Sequence, residues 1–285
     1  MEVGIALALL AALMTNLASL LKHRGCHRVE PVRIREPLRG ARALAGSRWF
    51  AAGWALAALA WLVHVAALSL APISLVQAVL AGGAVTLAVI SQRFFGDPVE
   101  RQQWLALLLG GCGLALLALT LPSLHGSDST FSTAALLGFE GGLALLASGL
   151  ALGHRSPRLA ARHGVLLASL AGVLLALAGV AIKGLLGAGA VSLAVLGPWI
   201  ALTVLCGVLA QYATVAALQK GQAVETIGLI GLIANATQIA AGVLVFGDPL
   251  AANPLGIVLQ GVAFAMVCGS ALLLPSRLPL RLAPA

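Results

Sequence analysis

A chain of 285 residues in which 60% are hydrophobic and 9% charged lacks the polar surface to cover itself in water, which excludes a soluble globular domain. Its mean hydropathy of +1.03 points instead to an integral membrane protein. The net charge of +8 is carried between apolar runs without the aromatic interleaving of a single-strand binder, so it reads as a topology signal. The partner implied is the lipid bilayer of the cell membrane, and nucleic acid is not expected.

Nine apolar runs are long enough to span: 3–21, 49–70, 72–95, 104–121, 133–153, 165–187, 199–219, 222–246 and 254–274. No Lys or Arg precedes the first run and a dense basic block follows it, the reverse of a secretory signal, so it is expected to be retained with its N-terminus outside. That block, Lys22, Arg24, Arg28, Arg33, Arg35, Arg39, Arg42 and Arg48, makes 22–48 an extended cytoplasmic loop. Alternation then assigns the remaining connections. Arg93 and Arg101 flank an inner turn at 96–103, Arg155, Arg158 and Arg162 lie in the inner loop 154–164, and Lys220 marks the last inner turn. The outer connections at 71–72, 123–132 and 189–198 carry no Lys or Arg, and Arg277 and Arg281 place the C-terminus inside. The expected fold is an all-α membrane protein of nine transmembrane helices, N-terminus out and C-terminus in.

A motif pair recurs along these runs. Val65, Ala66, Ala67, Leu68 is followed by Phe95, Gly96, Asp97, Pro98, and about 150 residues later Val215, Ala216, Ala217, Leu218 is followed by Phe246, Gly247, Asp248, Pro249. The copies fall on opposite sides of the expected topology. They therefore predict an inverted repeat: residues 1–121 as the first unit with spans 1–4, 133–153 as a linking span, 165–274 as the second unit with spans 6–9, and 275–285 as a cytoplasmic tail.

At these residues the chain resembles the drug/metabolite transporter superfamily, whose EamA-type members carry two inverted repeats. Ala67, Leu68 and Pro72 match the helix end and following Pro of the first copy, and Ala217 and Leu218 match the second, although Gln222 stands where Pro is typical. Gly96 and Gly247 match the turns, with Asp97 and Asp248 where Glu is commoner. A single span and basic loop ahead of the first repeat is most similar in layout to the NIPA-type magnesium transporters. The resemblance implies secondary transport, with Mg²⁺ as one substrate.

Polar groups within the apolar runs are the candidate pathway, because a charge near the centre of a membrane helix costs about 2.5 to 3.5 kcal/mol. Span 8 holds Glu225, Gly228, Gly231, Asn235, Gln238 and Gly242 on one stripe, which either packs helices closely or lines a polar cavity. Span 3 offers Gln77 in a weaker counterpart. Span 6 places Lys183 on a stripe with Ser169, Gly172, Ala176 and Gly179, where it either snorkels or acts. Glu140 lies in span 5 among Leu136, Leu137, Leu143, Ala144 and Ala147, and at similar depth it is expected to pair with Lys183. Asn16 in span 1 and Gln211 in span 7, on a face with Thr203 and Thr214, complete the set. Packing alone is the competing reading for each of these residues.

No Ser/His/Asp set, phosphate loop or HExxH occurs, and the four cysteines show no CxxC. His23 and His27 lack a carboxylate cluster and are not expected to bind a metal; no metal site is assigned, and no cofactor is expected. The expected function is secondary transport of a small molecule or cation by alternating access; a homodimer is compatible with this layout. A drug or metabolite exporter is the alternative within transporters. A membrane enzyme or lipid-handling protein would need an acid/base cluster at one interface, and a scaffold would leave Glu140, Asn235 and Gln238 only packing roles.

Overall fold

The computed structural model describes residues 2–32, 36–70, 83, 85–96, 99–120, 132–187, 193–246, 251 and 253–274, and all regular structure among them is helical. The helices are α1 (Glu2–Cys26), α2 (Pro37–Gly46), α3 (Arg48–Leu70), α4 (Val85–Phe95), α5 (Arg101–Thr120), α6 (Thr133–Arg155), α7 (His163–Gly187), α8 (Leu193–Lys220), α9 (Ala223–Leu244) and α10 (Pro254–Leu273). In six of them, α1 and α6–α10, a stretch is long and apolar enough to cross a membrane. α3 and α4 add shorter apolar stretches, Arg48–Val63 and Val85–Phe95. Helices suit such a sequence because they satisfy their own backbone groups where no water can. Leu145 and Leu272 are 76% and 82% exposed, which is stable against lipid tails and costly against water. The protein is a multi-pass helical membrane protein.

Local sequence sets the helix ends. The last turn of α4, Ser91–Phe95, is wound as a π turn and stops at Gly96, whose φ of 73° is left-handed and favours glycine. Asn253 caps α10 by accepting a 2.6 Å hydrogen bond from the Gly256 amide, and Pro254 occupies the first turn, where no amide is needed. α1 runs on to Cys26, past the apolar run that ends at 21, with the Arg24 charge in its last turn complementing the helix dipole.

Contacts between helix ends divide the molecule into two ends. At one, which carries Arg24, Arg28, Arg48 and Arg101, the His23 Nε2 lies 3.3 Å from the Gly221 carbonyl, and Gln102 Nε2 donates to the Leu273 carbonyl at 2.7 Å. The His154 and His163 rings stand 4.5 Å apart where α6 passes through a 3₁₀ turn, Pro157–Arg162, into α7. At the other end Leu136, Val180, Val245 and Phe246 cluster with Trp199, and Gln260 Nε2 donates to the Thr120 carbonyl at 3.1 Å. α1 packs on α3, α7 on α8 and α9, α6 on α7, and α5 on α10. The main core joins Leu107, Leu177, Ala210, Ala217, Leu229 and Val267 from α5 and α7–α10.

The segment 22–48 departs from the expected extended loop. It contains α2, which Pro37 starts by presetting φ at its first turn and which buries Leu44 against Cys26, Phe50, Val215 and Leu218. The run 72–95 is described only at residue 83 and from 85 onward.

Candidate functional site

Small residues bring α7 and α9 into close contact. A β-carbon at Gly172 would stand 2.9 Å from Ile233 Cβ and 3.0 Å from the Ile230 carbonyl, and one at Gly179 would stand 2.9 Å from Gln238 Cδ and Oε1. Glycine is required at Gly172, where a neighbouring Cβ and backbone carbonyl stand in the way, whereas at Gly179 it leaves room for the end of the Gln238 side chain. The α9 stripe divides along its length. Glu225 is buried in the first turn of α9, where a carboxylate suits the helix dipole, and Gly228 faces Leu107 and Leu274. Farther along, Gly231 has open space beside it, and Asn235 and Gln238 are exposed.

The second feature is Glu140. With Leu136, Leu143 and Ala147 it forms the buried face of α6, while Leu137, Leu145 and Leu146 point outward. Glu140 is 5% exposed, and among the described residues neither carboxylate oxygen has a hydrogen-bond partner. The Thr203 hydroxyl on α8 is also buried without a partner. Leu136 clusters near Trp199, and Leu143 and Cys206 share the main core. Glu140 lies four residues past Leu136 and three before Leu143; Thr203 lies four past Trp199 and three before Cys206. α6 and α8 both start at the end carrying Leu136 and Trp199, so Glu140 and Thr203 stand at one depth. Burying polar groups unmet is costly, which marks this level of the bundle as a functional candidate.

The remaining predicted residues fall in different places. Asn16 Nδ2 donates to the Gly83 carbonyl at 2.6 Å and to Thr86 Oγ1 at 2.9 Å, which ties α1 to the α4 segment. Gln211 is exposed on α8. Position 183 lies one turn beyond Gly179 on α7, and its neighbour Gly184 packs against Leu136; the Lys183 side chain is outside the described residues, as is Gln77. The expected Glu140–Lys183 pair is therefore not among the contacts described.

Sequence reasoning passed over the residues that close the basic end. Gln219 Oε1 accepts from the Val32 amide at 2.9 Å, and its Nε2 donates to the carbonyls of Cys26 at 3.1 Å and Glu30 at 3.2 Å. Gln103, fully buried, reaches Gln222 at 3.5 Å. Leu20 of α1 and Leu87 of α4 pack with Ala223 of α9, with Phe95 and Ile227 against them. The available signal was position: these amides cluster at helix ends, where a polar side chain can reach another segment's backbone. Among the described residues no group of three or more His, Cys, Asp or Glu could hold a metal ion.

Comparison with family models, with curated proteins and with solved structures finds no match for this chain.

Proposed function

We propose that the protein is a secondary transporter that moves a small solute or cation across the membrane by alternating access between two inverted repeats of the drug/metabolite transporter type. The observation that carries this reading is the junction of the two halves. Residues from both, Leu20, Leu87, Ala223 and Ile227 with the His23–Gly221 and Gln103–Gln222 contacts, meet at the basic end, while Asn235 and Gln238 farther along α9 are exposed. A bundle closed at one end with polar groups accessible beyond the closure has the form of one state of a rocking carrier.

Two further observations support it. α1 packs on α3 as α7 packs on α8, and Asn16 joins α1 to α4 as the Gly172–Gly179 seam joins α7 to α9. Phe95 and Phe246, equivalent in the two motif copies, belong to clusters at opposite ends. In this reading the basic end is cytoplasmic, with nine spans in total, and it is the closed side.

The test is uptake into proteoliposomes of Mg²⁺ and of a panel of amines and amino acids. Uptake of one class that Asn235→Leu and Gln238→Leu abolish at normal expression is the expected result. Absence of uptake or counterflow for every class would remove the transport reading.

A further inference from the structure

Trp49, the second residue of α3, is surrounded by three guanidinium groups. Those of Arg24, Arg28 and Arg48 lie 4.7, 5.7 and 5.8 Å from its ring centroid. Among the described residues none of the three has an ion-pair partner. The nearby acids of the 22–48 segment are engaged elsewhere, Glu30 and Glu36 meeting Arg39 at 3.4 and 3.2 Å. The indole face offsets part of the repulsion among the three cations, and an anion between them would offset more.

The surroundings are shaped for such an anion. A cavity of about 410 Å³ is lined by Arg28, Gly46, Ser47, Arg48 and Trp49. Ser47, Arg48 and Trp49 bring the start of α3, the positive end of its dipole, to this cavity. Farther along, α3 exposes Trp54, Leu59 and Leu62, each about half exposed, with the Lys22 ammonium 5.7 Å from the Trp54 ring. A basic cavity at the start of a helix whose exposed residues are apolar matches a lipid, with its headgroup at the membrane surface and its chains alongside the helix.

We propose that Arg24, Arg28 and Arg48 around Trp49 bind the phosphate of an anionic phospholipid, with its acyl chains along the exposed face of α3. The site stands independently of the transport reading.

Native mass spectrometry of the detergent-purified full chain tests it with phosphatidylglycerol and phosphatidylcholine. Phosphatidylglycerol is expected to bind at least about tenfold more tightly than phosphatidylcholine. Arg28→Gln and Arg48→Gln each weaken phosphatidylglycerol binding by about fivefold and leave phosphatidylcholine unchanged. Arg48→Lys falls between, since it keeps the charge and loses the planar two-point contact; it also carries the test should the glutamine variants misfold. Arg101→Gln and Arg162→Gln remove the same charge from the same end away from the cavity, and are expected to bind as the wild type does. Equal losses in all four glutamine variants would reduce the effect to diffuse attraction and overturn the site. Displacement of phosphatidylglycerol by millimolar inorganic phosphate would overturn the assignment to lipid.

Discussion

The amide of Gln238 on α9 lies against the bare backbone of Gly179 on α7, where a β-carbon would meet its Cδ and Oε1 at 2.9 Å. The bare backbone at Gly179 therefore controls where a candidate pathway amide rests. Gly179→Val is expected to push the amide aside and cost about 1 to 3 kcal/mol by overpacking, read as a lowered midpoint of thermal unfolding in detergent. Gln238→Leu should leave stability within about 1 kcal/mol, because the residue is exposed, while abolishing uptake. Equal stability losses in both variants would assign the pair to packing alone.

Glu140 yields a prediction of opposite sign. Its oxygens are buried and meet no partner among the described residues, so Glu140→Gln removes a buried acid from an apolar setting and should leave the unfolding temperature unchanged or higher. Loss of uptake in the same variant would assign the carboxyl to function, and a fall of several degrees in unfolding temperature would show instead that the acid holds the bundle together.

Gln219 holds the segment after α1 through contacts to Val32, Cys26 and Glu30. Gln219→Leu forfeits these hydrogen bonds, each worth about 0.5 to 1.5 kcal/mol net. The expected result is faster tryptic cleavage between Arg28 and Arg48, with the rest of the chain as resistant as in the wild type. An unchanged cleavage pattern would mean that Leu44 and Phe50 hold the segment without the amide.

The inverted layout predicts the sidedness of the two Phe-Gly-Asp-Pro corners. With the native cysteines replaced, Asp97→Cys should react with an impermeant maleimide from the cytoplasmic side and Asp248→Cys from the outside. Labelling of both from one side would end the inverted-repeat reading.

Helix positions were largely legible in the sequence, because a run of apolar residues bounded by charge or by Gly and Pro can satisfy its backbone in lipid in one way only. The Gly172–Gly179 stripe could be read as a contact surface from its spacing, and α9 is found against it. The docking of 22–48 could not. Its anchors are a single leucine, Leu44, and an amide, Gln219, nearly two hundred residues away on another helix. Asn16 looked the same in sequence as Asn235, yet one is bonded to α4 and the other is exposed.

By itself the sequence determined that the chain enters lipid, where its long helices run, and that basic residues lie between particular helices, since these follow from composition and periodicity within single segments. Only the tertiary structure decided which polar groups were met and which were left open: Asn16 satisfied, Glu140 and Thr203 unmet among the described residues, and Arg24, Arg28 and Arg48 gathered around one tryptophan. The reason is that a hydrogen bond or an ion pair belongs to two segments at once, and their relative placement is set by packing between helices rather than by the residues of either one.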